Sequence, residues 1–124
     1  MYAWPGNRKK PGGFYRIRAT GNAANLPVGL SASTNTITVK FSDPLDIGST
    51  TNIANWSVEA WDLKRTKKYG SKHHNQREWS VKKAALSPDG KTITLTIPDL
   101  APTWGMSITA NIKDQNGKSV TRVI

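Results

Sequence analysis

Apolar and polar residues alternate along this chain in short runs, and from residue 36 onward the period is two. TITVKF places Ile37, Val39 and Phe41 on one side, the pattern of a half-buried strand. NWSVEAW sets Trp56, Val58 and Ala60 on one face and Glu59 and Trp61 on the other. WSVKKAAL brings Trp79 and Val81 together and predicts a strand that shifts phase through Lys82 and Lys83. TITLTI turns Ile93, Leu95 and Ile97 inward and a row of threonines outward; MSITANI repeats this with Met106, Ile108, Ala110 and Ile112. By the same parity Trp104 joins Met106 and Ile108 in the core.

Turn residues divide these runs. Pro88-Asp89-Gly90 and Asn116-Gly117 are tight hairpin signals, because Asn and Gly accept positive φ at little cost. Asp43-Pro44 ends a strand, and Pro98 and Pro102 bracket a loop that crosses between sheets. With LPVGLSAS before and SVTRVI after, the chain carries about seven short strands, and no helical period persists for three turns. The fold class expected is all-β: an immunoglobulin- or fibronectin III-like sandwich of antiparallel strands over residues 26–124. Residues 1–25 differ. WPGNRKKPGG is a Gly/Pro-rich loop, GFYRIR one extra short strand, and ATGNAAN a linker. A lone strand does not stabilise itself, so GFYRIR pairs with the sandwich edge or with something outside the chain.

Composition narrows the chemistry. A chain of 124 residues fits one modest core. It has no cysteine, which removes disulfides, thiolate metal sites and c-type haem attachment. Eighteen Lys and Arg against eight acids give a net charge of +10, which favours polyanions or marks a merely basic surface. No apolar run is long enough for membrane insertion, and the residues after Met1 contain no apolar h-region. The chain is thus expected to be cytosolic or an internal piece of a larger secreted protein.

The ordered stretches GGFYRIRATG, LPVGLSAS, FSDPLD, NWSVEAWD, YGS and LSPDGKTITLTIPDL resemble a module of large secreted proteins of planctomycetes and verrucomicrobia. In these proteins an Ig-like segment follows a sugar-dehydrogenase-like β-propeller, often accompanied by a haem domain. FSDPLD, NWSVEAW and LSPDGKTITL are also similar to bacterial Ig-like domains of surface proteins. The resemblance spans nearly the whole chain and implies a secreted, periplasmic or cell-surface location within a larger bacterial protein. It makes residues 1–18 the end of a preceding propeller, and the propeller a partner. Its motifs are turns, a core Trp and a hairpin, so it implies a fold and no activity; no residue matches the redox motifs.

Candidate sites concentrate in YGSKHHNQREW, residues 69–79. His73 and His74 are adjacent, so on a strand they face opposite ways, and no HxH or HxxxH spacing exists; no metal is expected. Serines lie in no Gly-x-Ser-x-Gly turn, and no phosphate loop is present, so neither enzyme activity nor a cofactor is expected. Asp43 and Asp46 read as turn formers in preference to a calcium loop.

Aromatic residues remain. Trp61, Tyr69, Trp79 and Trp4 are candidates for stacking on sugar rings, with His73, His74, Asn75, Gln76 and Arg77 as a polar rim. Lys67, Lys68, Lys72 and Arg77 would take an anionic glycan. Polysaccharide binding by the loop from Lys64 to Arg77 is therefore the leading expectation. Its rivals are a structural spacer whose aromatics only pack and, third, stacking on single-stranded nucleic acid, which the fold and a secreted parent disfavour.

Overall fold

The computed structural model describes residues 14–18, 20–67 and 70–124. Among them lie eight strands: β1 (Pro27–Ala32), β2 (Thr36–Phe41), β3 (Trp56–Asp62), β4 (His74–Trp79), β5 (Lys83–Leu86), β6 (Thr92–Thr96), β7 (Gly105–Lys113) and β8 (Ser119–Val123). They form two four-stranded antiparallel sheets in the orders β1-β2-β6-β5 and β4-β3-β7-β8. This is the immunoglobulin strand order with one strand added beside the third. The β-sandwich expected from the alternation is what the chain adopts.

The core sits between the sheets and follows the predicted parities. Ile37, Val39 and Phe41 of β2 and Ile93, Leu95 and Ile97 of and beside β6 meet Val58, Ala60, Ile108, Ala110 and Ile112 of the facing sheet. Trp56 is buried among them, and its Nε1 donates to the Thr50 carbonyl at 2.9 Å. That bond ties β3 to the short helix α1 (Ile47–Thr51), whose N-cap Asp46 accepts from the Ser49 amide at 2.7 Å. The β5–β6 and β7–β8 turns carry Gly90 and Gly117 at φ +70° and +80°, as the turn residues predicted.

The start of the sandwich is pinned from both sheets. Asp43, at the end of β2, accepts from the Ala24 and Asn25 amides at 3.0 and 2.8 Å. Arg122 of β8 donates to the Ala24 and Asn25 carbonyls at 2.9 and 3.1 Å. Asp43 and Asp46 therefore hold backbone, as the turn-forming reading required.

Four expectations change. Residues 14–18, the described part of GFYRIR, form no strand, and among the described residues none pairs with them in a ladder. WSVKKAAL is two strands, not one with a phase shift: β4 ends at Trp79 in one sheet and β5 begins at Lys83 in the other. The loop expected from Lys64 to Arg77 is shorter, since His74–Trp79 pairs with β3. Trp104 is not core but 75% exposed. Burial fades from Ile108 through Met106 of β7 to Trp104 just before the strand, so parity gave the side but not the depth.

Candidate functional site

At one end of the sandwich β3 leads through residues 63–73 into β4, and β7 begins beside them. Trp61 is paired in register with Gly105. A Cβ at that glycine would sit 2.4 Å from the indole Nε1, so the ring occupies the space a side chain would fill. The His73 ring stacks on Trp61 with centroids 4.1 Å apart and planes 10° off parallel. Trp61 is half-buried as a result.

The proposed polar rim is engaged within the protein. Asn75 donates to Asp62 at 3.0 Å, and Gln76 donates to Glu59 at 3.0 Å. Arg77 pairs with Asp62 at 3.3 Å, donates to the Thr103 hydroxyl at 3.3 Å, and stands 5.6 Å over the Trp79 ring. Thr103 in turn donates to the Trp61 carbonyl at 2.9 Å. The Asn75 hydrogen bond, helped by the Arg77 charge, holds the Asp62 carboxyl below the usual range although partial burial opposes it. Asn75 adopts φ +51° at this bend, next to a register shift in the β3–β4 ladder.

Trp79 must be withdrawn as a stacking residue: it is 8% exposed and belongs to the core, because the inner face of β4 points at the opposite sheet. His74 pairs in register with Asp62, while His73 packs on Trp61, so the two histidines part as adjacent residues should. Among the described residues no three His, Asp or Glu converge in a group that could hold a metal ion. Trp4, Lys68 and Tyr69 lie outside the described residues.

An open groove remains, lined by Leu63, Lys64, Arg65, Lys67 and Trp104. Lys64, Arg65, Lys67 and Lys72 are exposed and form no ion pair among the described residues. Ser71 shapes the loop above them, accepting from the Lys64 amide at 3.0 Å and donating to the Lys72 carbonyl at 2.9 Å. The structure thus gathers Lys67 and its loop neighbours Lys64 and Arg65 with Trp104, which parity had placed in the core. The available signal was Pro102, which placed Trp104 close to a crossing loop. No described helix is long and apolar enough to cross a membrane.

No protein-family model and no curated protein matches the chain. Among solved structures, the crystal structure of the S-layer protein SbsC is similar over 78% of this chain at 22% identity, with a TM-score of 0.52. The N-terminal part of the same bacterial S-layer protein is similar over 74% at 21% identity, with a TM-score of 0.49. This chain spans 12% and 20% of those chains. The likeness is one of fold. It agrees with the Ig-like fold that the resemblance implied, and nothing in the comparisons supports the propeller-associated module.

Proposed function

We propose that this chain is a non-catalytic Ig-like module of a larger bacterial cell-surface protein, and that it binds anionic polysaccharide in the groove beside Trp104. One observation carries the reading: Trp104 is 75% exposed in a groove that also presents Lys64, Arg65 and Lys67. A flat aromatic ring takes the C–H face of a pyranose, and cationic side chains take its carboxylate or sulfate by charge-assisted hydrogen bonds. A net charge of +10 draws such polymers to the surface. The fold-level likeness to domains of an S-layer protein supports the surface location.

The spacer reading keeps one observation of its own. Trp61 and Trp79 serve packing, and Asn75, Gln76 and Arg77 are occupied by intramolecular partners. Affinity electrophoresis separates the two, run against neutral, uronic and sulfated polysaccharides with a single-stranded polynucleotide alongside. Binding predicts retardation by one anionic glycan class that Trp104→Ala abolishes and Trp61→Ala reduces less. No retardation on any glycan leaves the spacer. Retardation by every polyanion, lost in moderate salt and indifferent to Trp104→Ala, shows charge alone.

A further inference from the structure

The flank formed by β1 and β8 is unfinished. Leu30 and Ala32 of β1 pair with Val39 and Ile37, two fully buried residues, so they belong to the core-facing side of their sheet. Yet Leu30 is 53% exposed and Ala32 is exposed too. Among the described residues the facing sheet ends at β8, and this apolar ledge stays open to solvent. The free edge beside it is also unusual within the molecule. The edges formed by β4, β5 and β8 contain Arg77 and Glu78, Lys83, and Arg122 respectively, whereas β1 has no charged side chain. Charges are the usual guard against strand addition, and β1 lacks them. Pro27 and the bulge at Val28 block only its first end, so Gly29 to Ala32 stay open for pairing.

The same chain carries a segment suited to that edge. Phe14, Tyr15, Arg16, Ile17 and Arg18 alternate as a strand does, with Tyr15 and Ile17 on one face, yet they form no strand here. Tyr15 is 86% and Ile17 95% exposed. No described residue of their own chain pairs with the edge, and the pinning of Ala24 and Asn25 to Asp43 and Arg122 fixes where the segment departs.

We infer that two copies of this chain associate reciprocally, the 14–18 segment of each adding as a strand to the free edge of β1 in the other. Tyr15 and Ile17 then extend the core face over Leu30 and Ala32. Tyr15 of each copy buries about 150–250 Å², with Ile17 and Leu30 of each beside it, so the joint lies at the small end of specific interfaces, below roughly 1,200 Å², and relies on the added ladder for the rest. Each copy carries a net charge of +10, so repulsion opposes the pairing and salt strengthens it. That sign is opposite to the salt response of polyanion binding.

Sedimentation equilibrium of the full chain, at low and raised salt, tests this. A dimer that tightens with salt is expected. Ile17→Asp and Leu30→Lys, both at exposed positions, should each weaken it at least tenfold while leaving the thermal midpoint of the monomer unchanged. Mixing the two variants restores one intact joint and should give more dimer than either variant alone. A monomer at every concentration and salt overturns the inference, as does a dimer that neither substitution weakens. Concentration-independent amide protection at residues 14–18, meaning a fold-back within one chain, overturns it as well.

Discussion

His73 covers the indole of Trp61 at 4.1 Å between centroids, and Gly105 leaves the room that the indole occupies. The sheet thereby fixes an aromatic ring on its outer surface with a side-chain stack and a missing Cβ, a pairing known to compensate for a glycine within a strand. Gly105→Ala would place a methyl 2.4 to 2.9 Å from three indole atoms, so the ring must leave or the strands must part. The expected loss is about 1–3 kcal/mol in denaturant unfolding, the range for overpacking. His73→Ala, which only uncovers the ring, should cost roughly 0.5–1.5 kcal/mol, as aromatic pairs do. If the His73 substitution still costs as much in the Gly105→Ala background, the two residues do not act on one ring.

Arg77 joins β4 to the start of β7 by holding Asp62 and Thr103 while lying over Trp79. Lysine keeps the charge but has no planar fork to reach both partners. Arg77→Lys is expected to lower the thermal midpoint, and Arg77→Ala to lower it further. Neither should change retardation by an anionic glycan, since the groove residues lie elsewhere. A loss of glycan binding in Arg77→Lys with an unchanged midpoint would move the site back to the strand face.

The strands were legible because each buried face repeats every second residue, and the turns because Asp-Gly and Asn-Gly permit few other conformations. Depth was not. Trp104 has the parity of a core residue but precedes β7 and is exposed, while Trp79 lies beside a basic loop yet points inward. Both outcomes depend on tertiary packing, which local periodicity does not carry. The polar rim failed for a related reason: Asp62, Glu59 and Thr103 are distant in sequence from Asn75, Gln76 and Arg77, and only the ladder brings them together.

Acid should weaken the fold through identifiable carboxylates. Hydrogen bonds from Ser42 and from the Asn25 amide lower the Asp43 pKa, the Ser49 amide and hydroxyl lower that of Asp46, and Ser87 lowers that of Asp89. A carboxyl whose folded pKa lies below its unfolded value of about 3.9 stabilises the protein above that value. The contribution disappears as pH falls through the depressed folded values. The thermal midpoint is therefore expected to be level down to about pH 4 and to drop below it. Asp43→Asn should lower the neutral midpoint and shrink the acid drop. An unchanged acid limb in that variant would assign the drop to general charge repulsion.

The two tryptophans that exchanged expected places give the sharpest contrast. Trp79 is 8% exposed in the core and Trp104 is 75% exposed at the groove. Truncating a buried Trp removes apolar contact and leaves a cavity that the surrounding strands fill only in part. Trp79→Ala should therefore cost about 3–5 kcal/mol, a large share of the stability of a small domain. Trp104→Ala removes a ring already in water, so its effect should stay within about 0.5 kcal/mol. Denaturant midpoints measure both. Because Trp104→Ala leaves the fold intact, any glycan retardation it abolishes reports on the groove itself. A Trp104→Ala variant that unfolds as readily as Trp79→Ala would show that Trp104 packs against something, and the groove would lose its role.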